Sequence, residues 1–145
     1  MEDRDTIKLL KECDAGSKMA VSSLDDIMDK VENENLKKLL DETKDHHSKL
    51  GNEIHSLLIE YGCEEKDPNP MAKGMSKMKT GVMMSMKDNA DETAADLITD
   101  GCNMGVKSLN KYLNQYAAAD EESKDICKRL IKLEEELALQ MRDFL

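Results

Sequence analysis

Tryptophan is absent from this chain, and its 145 residues include only one Phe and three Tyr. Strand-based cores draw heavily on aromatic and β-branched side chains, so this scarcity argues against a sheet. Proline occurs twice, at positions 68 and 70, which leaves long stretches without a helix breaker. No cysteine pair has CxxC spacing; Cys13, Cys63, Cys102 and Cys127 are scattered. That spacing matches neither a zinc ribbon nor the disulfide framework of a secreted miniprotein. The expectation is four reduced, mostly buried thiols. Basic charge is also short, with 21 Lys and Arg against 31 Asp and Glu and a net charge of −10. Such a balance opposes phosphate-backbone binding, so no nucleic-acid partner is expected. No apolar run is long enough to cross a bilayer, and MEDRDTIKLLKE is charged from its second residue. A cytoplasmic protein without signal peptide or transmembrane segment is the expectation. Gly-rich phosphate loops and nucleophile elbows are missing too, which points away from phosphoryl transfer and hydrolysis and towards a non-enzyme.

What the chain does have is helical rhythm almost throughout. Over residues 4–31 the seam runs Ile7, Leu10, Asp14, Ser17, Val21, Leu24, Met28 and Val31, in alternating steps of three and four. Over 35–61 it runs Leu36, Leu40, Thr43, His47, Leu50, Ile54, Leu57 and Tyr61, with Gly62 as the stop. Residues 90–117 carry Ala94, Leu97, Ile98, Met104, Leu109, Tyr112 and Tyr116. Residues 121–144 follow DEES with Ile126, Leu130, Leu133, Leu137, Met141 and Phe144. Between the second and third of these helices lies MAKGMSKMKTGVMMSMKDNA, residues 71–90, which holds six of the eleven Met. Met71, Met75, Met78, Val82 and Met86 share one helical face, so a short crossover helix is expected within about 68–88. Two helical pairs joined by a crossover make one four-helix-bundle domain spanning 1–145.

HHSKLGNEIHSLLIEYG, a Pro-broken segment, then DLITDGCNMGVKSLNKYLNQY together resemble the ferritin-like four-helix-bundle proteins of bacteria, and within them an uncharacterised family, a domain of unknown function. The resemblance implies an all-α, antiparallel bundle. It also raises the question of a di-iron or di-manganese centre, which takes carboxylates from two helices and Glu-x-x-His pairs from the other two. Here the residues three before His46 and His47 are Thr43 and Lys44, so neither pair is present. The fourth helix has no histidine, and Glu134 and Glu136 straddle its Leu133–Leu137 seam. An intact di-metal site is therefore not expected, and neither is a resident cofactor.

Asp14 and Ser17 on the first helix nonetheless face His47, with His46 beside it and His55 turned outward. One reading is a polar clasp in which Asp14 and His47 hydrogen-bond and hold helix register. Another is a partial site for iron, manganese or another divalent metal at Asp14, His46 and His47, or a proton-linked switch. Met71, Met75 and Met78 allow a further reading, a soft Cu(I) site. A basic Met face also suits docking on a protein partner or a membrane surface, and the bland alternative is a crossover helix that packs its Met face on the bundle. A homodimer through leftover apolar faces also fits such a bundle. Anaerobic Cu(I) titration checks the copper reading: it requires uptake that replacing Met71, Met75 and Met78 abolishes, and equal uptake by both proteins removes it.

Overall fold

The computed structural model describes residues 2–63 and 89–145. These residues are all-helical, with no strand among them: α1 is Glu2–Met28, α2 Glu34–Glu60, α3 Ala90–Gln115 and α4 Glu121–Met141, followed by a 3-10 turn at Arg142–Phe144. The arrangement is compatible with a four-helix bundle. The most extensive packing is of α1 on α2 and of α3 on α4. The expected Met-rich crossover, with Met71, Met75 and Met78, lies outside the described residues.

Local chemistry sets the helix ends. α1 stops at Met28, short of the expected residue 31, because Lys30 and Val31 donate to carbonyls three residues back, at Ile27 and Met28. Such bonds tighten a last turn and end it. Asn33 starts α2 by accepting the Leu36 N–H at 3.0 Å. Asn89 accepts the Glu92 N–H at 3.3 Å at the start of α3. Asp120 accepts the Ser123 N–H at 2.8 Å at the start of α4. At the end of α2, Gly62 has φ +74°. Its N–H bonds to the Ile59 carbonyl, and that of Cys63 to the Leu58 carbonyl, both at 2.9 Å. This is the paired-bond stop that a left-handed glycine permits.

The core falls into two apolar clusters. One gathers Leu9, Leu10 and Cys13 of α1, Leu50, Ile54 and Leu58 of α2, Leu109 of α3, and Ile126, Cys127, Leu130 and Ile131 of α4. The other gathers Leu24, Ile27, Leu36, Leu40, Ala94, Ala95, Ile98, Cys102, Leu137 and Met141. Between the stretches contributed to each lie buried polar positions: Asp14 and Ser17 on α1 and Thr43 and His47 on α2. On α4 the intervening inward residue is Glu134, whose side chain is 12% exposed. Leu58, rather than the expected Leu57, is the fully buried position at the end of α2.

Carboxylates fasten the ends of the helices to one another. Asp91 of α3 accepts the N–H groups of Glu32 and Asn33 at 2.8 and 3.2 Å. Asp5 accepts from the Ala118 N–H at 3.2 Å. Asp120 accepts the Tyr61 hydroxyl at 2.7 Å, while its own N–H donates to the buried Thr6 hydroxyl at 2.8 Å. α1, α2 and α4 thus meet at one aspartate. Burial raises the Asp120 pKa, but the Tyr61 hydroxyl and the Ser123 donors outweigh it, and the net shift is downward. The stabilisation is therefore present above the unfolded aspartate value and is lost as pH falls through the lowered folded one. Asp120→Ala is expected to cost about 2 kcal/mol at pH 7, combining a lost cap with a lost tyrosine partner. In urea melts that cost should shrink towards acid pH, because the native aspartate is then being protonated.

Candidate functional site

The polar layer at mid-bundle is the candidate site. His47 is fully buried because its helical register continues the inward series Leu36, Leu40, Thr43, Leu50 and Ile54. Its Nδ1 lies 2.7 Å from the Thr43 carbonyl oxygen one turn back. A carbonyl can only accept, so Nδ1 carries a proton. Its Nε2 lies 3.3 Å from Glu134 Oε1 on α4. An ionised carboxylate can also only accept, so the protonated ring is the form that satisfies both neighbours. Burial pushes the His47 pKa down, but the Glu134 hydrogen bond and charge, with the Thr43 carbonyl, push it up further; the net shift is upward.

Glu134 itself falls on the inward series Cys127, Leu130, Leu137 and Met141, at steps of three and four. This corrects the expectation that it points sideways. Leu133, the expected seam residue, is only half-buried. Opposite Glu134 on α3 stands Gly105; a β-carbon there would sit 3.7 Å from the carboxyl carbon. Alanine would fit, but a longer side chain would occupy the carboxylate's place. Cys102, buried on the same helix, has its thiol pKa raised by burial first and then by the nearby Glu134 carboxylate. On the surface, Arg129 holds Glu53 in a two-pronged ion pair at 3.0 and 3.1 Å, again joining α4 to α2.

Asp14 takes a different partner from the expected one. Its carboxylate pairs with Lys18 Nζ at 3.0 Å, one turn along α1. Ser17 donates to the Asp14 backbone carbonyl at 3.0 Å. The expected Asp14–His47 hydrogen bond is thus replaced by two separate pairs, Asp14–Lys18 and His47–Glu134. Asp14 and His47 do line one groove of about 390 Å³ between α1 and α2, together with Ser17, Lys18, Gly51 and His55. Gly51 allows a close approach there, since a β-carbon would lie 3.1 Å from the Ser17 hydroxyl oxygen, which would have to shift. His46 is exposed on the surface of α2, so the trio Asp14, His46 and His47 is not brought together. His55, expected to face solvent, is half-buried and borders the groove. Among the described residues no group of three or more His, Cys, Asp or Glu side chains is arranged to hold a metal ion.

The family model described as Domain of unknown function (DUF2383) matches residues 5–115. The chain belongs to that family. The match takes in α1, α2 and α3, and therefore Asp14, His47 and Cys102, but stops before Glu134 on α4. No curated protein and no solved structure gives a match. No described helix is long and apolar enough to cross a membrane.

The His47–Glu134 pair makes stability depend on pH in a defined direction. Its folded histidine pKa is raised, so the contribution is complete below the unfolded value, about 6.5. It is lost as pH rises through the folded value. Urea midpoints should therefore fall from pH 6 to pH 8.5, and Glu134→Gln should flatten that dependence. Glu134→Ala should cost about 3 kcal/mol at pH 6, the usual penalty for leaving one buried charge alone.

Proposed function

We propose that this chain is a non-enzymatic binding or structural protein. In this reading it is an antiparallel, ferritin-like four-helix bundle whose polar mid-layer holds helix register where metal-binding relatives of that fold hold ions. The observation that carries the reading is the state of His47. Both ring nitrogens are engaged by protein groups, the Thr43 carbonyl and the Glu134 carboxylate. A ring held on both sides is a strut between α2 and α4, and a polar strut in an otherwise apolar core disfavours shifted helix pairings. The carboxylate supply points the same way, since Asp14 is committed to Lys18. The exposed apolar side chains Ile59, Met104 and Leu139 suit a protein partner or a second copy of the chain. A cytoplasmic setting fits four cysteines without a disulfide among the described residues.

A metal-handling role is the second reading. Nε2 of His47 and Oε1 of Glu134 are 3.3 Å apart, a separation that two ligands of one divalent ion can span at about 2.1 Å each. Iron, manganese or zinc would then take the place of the shared proton. Asp14 and His46 would not join that pair without rearrangement.

Elemental analysis of protein purified without a histidine tag separates the two. The structural reading expects less than a tenth of an equivalent of iron, manganese, zinc or copper. It also expects His47→Gln to change helix stability without changing metal content. Stoichiometric metal that disappears in His47→Gln would overturn it in favour of the second reading.

A further inference from the structure

The groove between α1 and α2 has a volume of about 390 Å³, near the lower end of the range usual for small-molecule sites. Three of its lining side chains, Asp14, Ser17 and His47, are at most 2% exposed, so it reaches down to the polar mid-layer. Ser48 and Asn52 of α2 place a hydroxyl and an amide on its wall. Two opposite charges meet inside it. Asp14 Oδ2 lies 3.0 Å from Lys18 Nζ, yet that oxygen is buried and accepts no hydrogen bond. A carboxylate oxygen can accept two, so acceptor capacity is left over. Asp25, the other acid of the groove, is paired with Lys44. Lys18 reaches Asp14 from one turn along α1, on a flexible stem, and its side chain is 26% exposed against 1% for Asp14. An entering molecule therefore meets the ammonium before the carboxylate. This order selects by charge. Lys18 repels a bare cation from Asp14, and Asp14 repels a bare anion from Lys18. Two linked charges of opposite sign find a partner for each. A bare metal ion is further disfavoured because no group of three or more ligating side chains is arranged around it among the described residues.

We propose that this groove binds a free α-amino acid in its zwitterionic form, with Asp14 and Lys18 as the recognising pair. The ammonium of the ligand donates to the open acceptor positions of Asp14. Its carboxylate takes the Lys18 ammonium, which swings outward to meet it. Four charges then alternate in sign around a closed ring: Asp14, ligand ammonium, ligand carboxylate, Lys18. Charges on neighbouring atoms of the ligand, as in an α-amino acid, close such a ring; charges set far apart do not. The direct Asp14–Lys18 ion pair is the resting state, which keeps the buried carboxylate neutralised while the groove is empty of ligand. The His47 contacts with Thr43 and Glu134 stay in place throughout, so binding here is independent of the register-holding role of that pair.

The test is titration calorimetry of the full chain with each standard α-amino acid, followed by two blocked forms of the tightest binder. The N-acetyl form lacks the ammonium and copies the last residue of a peptide. The amide lacks the carboxylate and copies the first. Saturable binding is expected for the free amino acid. Each blocked form should bind about tenfold more weakly or worse, the usual worth of one hydrogen bond to a charged group. In amide NMR spectra the backbone signals of Ser17, Lys18 and Gly51 should shift with the same midpoint. Asp14→Asn should weaken binding by a similar factor with an unchanged helical circular-dichroism signal. Absence of saturable binding in the millimolar range overturns the proposal. So does equal binding of either blocked form, undiminished binding by folded Asp14→Asn, or NMR shifts confined to residues outside the groove. The blocked-ligand comparison uses the unaltered protein, so it decides the matter even where Asp14→Asn fails to fold.

Discussion

An imidazole ring buried between a carbonyl and a carboxylate constrains everything around it. His47 has no water to exchange with, so each of its nitrogens must find a protein partner in a fixed direction. The Thr43 carbonyl supplies one from within α2, and Glu134 supplies the other from α4. That second contact sets the height of α4 against α2, because a shift of one residue would turn Glu134 away. Gly105 is the accommodation made on α3, where a β-carbon would lie 3.7 Å from the Glu134 carboxyl carbon. The apolar clusters on either side can then pack as two separate cores, each with contributions from all four helices.

Periodicity exposed one half of this arrangement and concealed the other. Thr43 and His47 lie on an uninterrupted series of inward positions, so their burial could be read from spacing alone. Asp14 and Ser17 were legible in the same way. Glu134 was not, because the adjacent Leu133 offers an apolar alternative seam and a glutamate is ordinarily assigned to solvent. With Glu134 hidden, the stripe presents Asp14 as the acid facing His47 and gives no sign of its ion pair with Lys18 one turn away. Side-chain pairing across helices depends on rotation about each helix axis, and a stripe of hydrophobic residues fixes that rotation only to within one position. Cys13 and Cys127 illustrate a second limit: nothing in their spacing hints that both enter one apolar cluster, which arises only when α1 meets α4.

Caps were more transparent than cores. Asn33, Asn89 and Asp120 precede helices whose first turns leave N–H groups without partners, and a short polar side chain is the local answer. The stop at Gly62 follows from a backbone conformation that other residues seldom adopt. Each of these is decided within a few residues. The end-to-end ties through Asp5 and Asp91 are not, since they require elements far apart in the chain to be neighbours.

Those ties change the meaning of the protein's acidity. An excess of carboxylates ordinarily serves as a repulsive coat that keeps molecules apart. Here Asp5, Asp91 and Asp120 turn their charge towards backbone N–H groups at helix junctions. Their negative charge is answered by peptide dipoles. Added salt screens the long-range repulsion of the coat more than it weakens hydrogen bonds made in direct contact, whereas protons reach both. The same composition therefore serves two purposes that respond differently to the surrounding solution, one colloidal and one architectural.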